Sequence, residues 1–294
     1  MSYQVEPVLC LRAKEEVFMK LASSLKKISS LQNPRIKSIL ALQKRKNREE
    51  LGKFGLEGAR EIERALSCQY SLLECYICPD LLSSEAKDLL QEKLLDGGHE
   101  CFEIDEKCFN KIAVRKQSDG IYAVFASKIL ELQDCIPPQG DPLLLVLEGI
   151  EKPGNLGALL RSADGAGASG VIILDDCCDP FNPQVIRSSL GTIFSTPLVQ
   201  TNKSNLHSFL KKHQVKTFAA ALSTKSQRYS DMTYHIPCAF FLGSEANGLK
   251  AETIAMCDHQ IMIPMHGIAD SLNVSVAGAT LLYEALRQRT ISKS

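Results

Sequence analysis

Three short stretches of this 294-residue chain carry side chains that could do chemistry together. They are Asn155-Leu-Gly-Ala-Leu-Leu-Arg161, Leu242-Gly-Ser-Glu-Ala-Asn-Gly248 and Ile263-Pro-Met-His-Gly-Ile-Ala-Asp-Ser-Leu-Asn-Val-Ser275. Each begins where a strand-like apolar run stops and a polar, glycine-bearing loop starts. In an open α/β sheet, ligands sit at those strand carboxyl ends. An amide, a guanidinium, a carboxylate and a hydroxyl are thus offered by three distant loops, which read as one polar site.

Asn155 precedes a helical run and reads as its N-cap, accepting a helix amide proton. With Leu156 as the first helical residue, Arg161 and Asp164 are three apart and face the same side. Glu245 follows a buried strand, an unusual place for a carboxylate unless it is paired. Gly243 and Gly248 let a ligand come close to the backbone. Ser271 reads as the cap of the last helix, which leaves Asn273 for a different partner.

Other patterns carry less. Gly165-Ala-Gly-Ala-Ser-Gly170 spells a dinucleotide fingerprint, but it ends a helix and precedes a strand. The fingerprint needs the reverse context, so these glycines read as a helix C-terminus turning into a strand. Eleven cysteines, an odd number scattered through a long chain, point to reduced thiols in the cytoplasm and not to a disulfide framework. Cys75-Tyr-Ile-Cys78 and Cys177-Cys178 read as small buried hydrophobes, so no metal is expected. No apolar run approaches the roughly 18 residues of a membrane span. Met1–Cys10 has no basic stretch followed by an apolar core, so no secretory signal is expected.

The formal net charge is zero, yet the charge is unevenly placed. From Lys20 to Arg64 there are twelve Lys and Arg against five Glu, a local excess of seven positive charges. Such a segment is an electrostatic footprint for phosphates or a solvated helix face.

The elements that must position these residues fall into blocks. Residues 1–32 read as an N-terminal helical extension, on the pattern Val17, Leu21, Leu25, Ile28. Residues 33–127 read as a small α/β/α unit, opened by Asn33-Pro34 and an apolar stripe of Ile36, Ile39, Leu40 and Leu42. Residues 128–141, with Pro137-Pro138-Gln-Gly140, read as a linker. From 142 to 294, strands and helices alternate strictly, which implies a parallel sheet covered on both faces. The last helix is apolar on two sides, with Leu272, Val276, Ala279, Tyr283 and Leu286 on one stripe and Val274, Ala277, Leu281 and Ala285 on another. It must be buried twice, against its own sheet and against a second subunit.

NLGALLRSAD (155–164), FLGSEANGL (241–249) and IPMHGIADSLNVSVA (263–277), in this order and spacing, resemble the three motifs of the SpoU-type (TrmH-like) RNA ribose 2′-O-methyltransferases of the SPOUT superfamily. The likeness extends over residues 35–290. Residues 33–62 are similar to the family's N-terminal RNA-binding domain, which has a ribosomal-protein, L30e-like fold. The chain departs from its relatives at Arg115–Gly120 and at Gly165. The resemblance implies a parallel-sheet catalytic domain tied in a trefoil knot, S-adenosylmethionine bound by Gly243, Ile263 and Leu272, and a homodimer. It implies Arg161 as the catalytic residue, oriented with the ribose and the cofactor by Asn155, Glu245, Ser271 and Asn273. Lys37, Lys44, Arg45, Lys46, Arg48 and Arg60 are the expected RNA contacts. Ribosomal RNA is the expected substrate, ahead of transfer RNA; a non-catalytic RNA-binding or ribosome-assembly factor on the same fold is the rival class.

Overall fold

The computed structural model describes residues 25–95, 98–114, 118–174 and 178–291. Val17, Leu21, Arg115–Gln117 and Cys177 lie outside the described residues. The chain divides into two compact units, Met1–Lys128 and Ile129–Ser294.

The first unit is a five-stranded mixed sheet. Its strands are β1 (Lys26–Ile28), β2 (Lys53–Glu57), β3 (Leu72–Ile77), β4 (Cys101–Ile104) and β5 (Ile121–Ala126), in the order β1-β4-β3-β5-β2. Helices α1 (Pro34–Ala41), α2 (Arg45–Leu51), α3 (Ala59–Ser67), α4 (Ser84–Leu89) and α5 (Glu106–Ile112) complete it. One sheet face meets α1 and α5 through Ile36, Ile39, Tyr76, Phe102 and Phe109. Phe54, Leu56, Cys75, Ile77 and Phe125 are buried too, so both faces are covered. One expectation changes here. Lys26–Ile28 is a strand paired in parallel with β4, not the end of a helical extension, because Ile28 fills the core beside Ile104. Cys75 and Cys78, three apart along a strand, turn to opposite faces. Cys78 packs with Tyr76, whereas the free Cys75 thiol is hydrogen-bonded to the free Cys101 thiol, and that hydrogen bond and burial push it well above its usual range.

The second unit is a seven-stranded sheet, parallel throughout. Its strands are β6 (Leu143–Glu148), β7 (Gly170–Leu174), β8 (Leu198–Thr201), β9 (Lys216–Ala220), β10 (Gln227–Arg228), β11 (Cys238–Leu242) and β12 (His259–Met262), in the order β10-β12-β9-β11-β6-β7-β8. Helices α6 (Pro153–Gly165), α7 (Pro183–Ser188), α8 (Lys203–Lys212), α9 (Ala251–Ala255) and α10 (Val274–Ile291) connect them. The near-continuous apolar run of β6, buried at every position, is what a strand covered on both faces requires. One face packs against α8 through Leu206, Phe209 and Leu210. Residues 129–141 are not a free linker: Cys135 is wholly buried in that core, with Leu130, Leu132 and Ile136 against it. The Gly165–Gly170 run behaves as read. Gly165 ends α6, Gly167 takes φ +69° and Gly170 opens β7.

β11 lies between β6 and β9, and β12 between β9 and β10. The chain therefore returns twice into the interior of its own sheet. The last turns of α10 are fastened beneath it by Arg289. Its guanidinium donates to the carbonyls of Asp141 (2.7 Å), Pro142 (3.0 Å), Tyr234 (3.0 Å) and Ile236 (2.8 Å). Arg289→Ala leaves those acceptors without their donor. It is expected to lower the unfolding free energy by about 2–4 kcal/mol, measured by urea titration of the whole protein.

Candidate active site

The carboxyl ends of β9, β11 and β12 border one cavity of about 610 Å³, within the roughly 300–1,000 Å³ of small-molecule sites. Its wall is mostly apolar, with Leu242, Ile261 and Met262 among the lining residues, while Glu245, Asp270 and Lys152 bring charge to it. The expected cofactor residues Gly243, Ile263 and Leu272 all line it, as do Ser271, Glu245 and Asn273.

Gly243 is required by packing. A Cβ there would collide with the carbonyl carbon of Gly248 and the nitrogen of Leu249. The loop folds back on itself, with Ser244 N–H donating to the Gly248 carbonyl (3.2 Å) and Gly248 N–H to the Ser244 carbonyl (2.9 Å). Gly248 sits at φ +65°, where a side chain is strained. This turn ends β11 and presents Glu245 to solvent.

The three motifs meet at one side chain. Asn155 Nδ2 donates to Glu245 Oε1, and Asn155 Oδ1 accepts from Asn273 Nδ2 at 3.2 Å. Asn273 is fixed in turn, since its Oδ1 accepts from Ser275 N–H (2.9 Å) and Ser275 Oγ (2.6 Å). Two capping expectations are corrected. The helix starts at Pro153, and Lys152, with no side-chain cap bond, is its N-cap residue. Asn155 is therefore inside the first turn with its amide free to cross to other loops. Asn273, not Ser271, caps the last helix, and it does so while also reaching Asn155.

Arg161 stands apart. It is exposed, outside the cavity lining, and without a hydrogen-bond or ion-pair partner among the described residues. Gly157, Arg161 and Asp164 form one stripe of α6. Gly157 abuts Ser188, and Asp164 accepts from Ser195 Oγ at 2.5 Å. Arg161 and Asp164 share a face but make no ion pair, and the Asp164 carboxylate is engaged by Ser195.

Glu148 was not singled out from sequence, where it is hidden at the end of the apolar run of β6. It is 2% exposed. It accepts from Lys250 N–H (2.8 Å) and Thr253 Oγ1 (2.7 Å) and pairs with Lys203 (3.2 Å). Desolvation lowers the affinity of Lys203 for its proton, but its bonds to Glu148 and Glu252 outweigh this and raise it. Glu148 thereby ties the start of α9 to the interior strand β6, just past the Gly243–Gly248 turn.

In the first unit, Lys37, Lys44, Arg45, Lys46 and Arg60 are exposed. Arg45 and Lys46 pair with Glu49 (2.7 Å) and Glu50 (3.7 Å) along α2, and Arg60 pairs with Glu61 (2.7 Å). Arg48 is a correction. It is 5% exposed, and its Nη1 donates to the Leu42 carbonyl at 2.5 Å, which turns it inward to hold the α1–α2 junction. A buried guanidinium does not present itself to an RNA phosphate.

A family model for the SpoU rRNA methylases matches residues 142–283, and one for an MRM3-like substrate-binding domain matches 33–123. An uncharacterized tRNA/rRNA methyltransferase of Synechocystis sp. is 31% identical, over 92% of this chain and 96% of the relative. The 23S rRNA (guanosine(2553)-2′-O)-methyltransferase RlmP of Bacillus subtilis is 28% identical, over 88% and 98%. A solved AdoMet-bound rRNA methyltransferase from Sinorhizobium meliloti superposes with a TM-score of 0.81 at 30% identity, covering 90% of this chain and 98% of that one. The chain belongs to the SpoU rRNA methylase family. It is an RNA 2′-O-ribose methyltransferase that uses S-adenosylmethionine.

The cavity fits that methyl donor. Its apolar wall suits a nucleoside face, and the Glu245 and Asp270 carboxylates suit the donor's positive sulfur and amino group. Gly243→Ala is expected to abolish donor binding while the protein stays folded, because the added methyl pushes the Gly248 turn out of place. Calorimetry with S-adenosylmethionine, alongside circular dichroism, checks both halves.

Proposed function

We propose that the protein methylates a ribose 2′-hydroxyl of ribosomal RNA, in the cytoplasm, as a homodimer whose catalytic unit is knotted. The observation that carries this reading is the hydrogen-bonded chain Glu245–Asn155–Asn273 at the edge of a donor-sized cavity. When bound, S-adenosylmethionine supplies a methyl group already activated by a positive sulfur. Gly243, Ile263 and Leu272 hold the donor, and Ser271 orients it. Asn155, tied at both ends of its amide, keeps the Glu245 carboxylate in one place. Glu245 then accepts a hydrogen bond from the ribose hydroxyl, aligns its oxygen for attack and takes up the proton that the hydroxyl gives up as it is methylated. Arg161 binds phosphate and steadies the charge that grows on that oxygen. A guanidinium does this better than it removes a proton.

The support for a dimer is physical. α10 buries Leu281, Leu282 and Ala285 in its own unit, yet Val276 and Tyr283 are each 50% exposed on the opposite stripe. Arg161 lies on α6 about 9 Å along the axis from Asn155, outside the cavity of its own chain, so we assign it to the site of the second copy. The threaded strand order β9-β11-β6, with β12 returning inside β10, supports the knot. The first unit supplies phosphate contacts through Lys37, Lys44, Arg45, Lys46 and Arg60, which position the RNA without reading its sequence. Transfer RNA is the second reading, favoured by the tRNA/rRNA name of the Synechocystis relative.

Two outcomes are expected. Val276→Glu with Tyr283→Glu gives a monomer in sedimentation equilibrium, where the unchanged protein gives a dimer. Arg161→Ala abolishes methyl transfer to ribosomal RNA but keeps donor affinity, as does its absence of contact with the cavity require. Mixing it with Gly243→Ala restores about a quarter of normal turnover by random pairing, since each mixed dimer has one complete site. No recovery on mixing would return Arg161 to its own chain.

A further inference from the structure

Lys152 is a cation that nothing above has used. It is exposed, it lines the cavity, and it makes no hydrogen bond or ion pair through its ammonium among the described residues. Among the described residues that line the cavity it is also the only Lys or Arg, against two carboxylates, Glu245 and Asp270. Its backbone is held rigidly, since its carbonyl accepts from Asn155 N–H (3.0 Å) and Leu156 N–H (3.1 Å). The side chain therefore springs from a fixed backbone position one helical turn from the amide that organises the three motifs.

A ribose 2′-hydroxyl never arrives alone. In an RNA strand the neighbouring 3′ carbon carries a phosphate, and any hydroxyl brought to Glu245 brings that anion with it. Two carboxylates at the rim repel it. We propose that Lys152 is a positioning residue that binds the phosphate on the 3′ side of the target ribose, which offsets this repulsion and sets the hydroxyl against Glu245. Arg161 of the same chain is assigned to the second copy's site, so the two cations serve different charges. The inference rests on the methyltransferase reading and names an RNA contact that the three motifs do not contain.

The test uses the full-length protein, S-adenosylmethionine and an in vitro transcript of large-subunit ribosomal RNA. Lys152→Ala is expected to raise KM for the transcript about tenfold. It should also reduce the slope of log KM against log salt by about one, the signature of one lost phosphate contact. Lys152→Arg keeps most of the affinity and the slope. Donor affinity, read by calorimetry, stays within about twofold of normal, which also shows that the variant is folded. An unchanged KM and salt slope would overturn the proposal. So would a loss of donor affinity as large as the loss for RNA, since the ammonium would then serve the donor's carboxylate. Filter binding of the same transcript is run in parallel. A wild-type protein that binds but does not methylate strikes the functional reading, while the binding slope of Lys152→Ala still decides the contact.

Discussion

One side-chain amide organises the catalytic unit. Asn155 has a donor end and an acceptor end, and each is committed to a different loop, Glu245 after β11 and Asn273 after β12. A carboxylate or an ammonium in its place could satisfy only one of them. The amide can do this because it sits in the first turn of a helix that begins at Pro153, next to the carboxyl end of β6. Three loops that share no sequence proximity are held in a single register by two hydrogen bonds.

Those bonds work only on a rigid base. The parallel sheet supplies it, with β6 in its interior between β11 and β7 and every one of its residues buried. Glu148 completes the strand and fastens the start of α9, so the segment leaving the Gly243–Gly248 turn is secured on its far side. At the opposite edge of the sheet Arg289 fastens the end of α10 to four carbonyls. Both are charged groups largely withdrawn from water, and both are matched by several partners, as such burial demands.

Charge was the least legible property. The excess of basic residues between Lys20 and Arg64 read equally as a footprint for phosphates or a solvated helix face. Folded, Arg48 turns inward and Arg45 and Lys46 meet glutamates one helical turn away. A count along the chain adds charges that the three-dimensional structure pairs. The same holds at the cavity, where Lys152 gains importance only because Glu245 and Asp270, distant in sequence, come to the same rim.

The sequence by itself determined most of the alternation of strands and helices, which fails among the described residues of the second unit only where β9, β10 and β11 follow one another without an α-helix, and the identity of the three polar loops. These follow from local periodicity and from where apolar runs end, which neighbouring residues dictate. It could not decide which amide hydrogen-bonds to which carboxylate, that Asn273 and not Ser271 caps the last helix, that Lys26–Ile28 is a strand, or that Arg48 is buried. The amide–carboxylate bond and the Lys26–Ile28 pairing are settled by partners remote along the chain, while the Asn273 cap and the Arg48 bond to Leu42 are near contacts that appear only once the turns are folded. Strand order decides the first of these, because the insertion of β11 between β6 and β9 brings residue 245 to residue 155, and no local pattern encodes that neighbourhood.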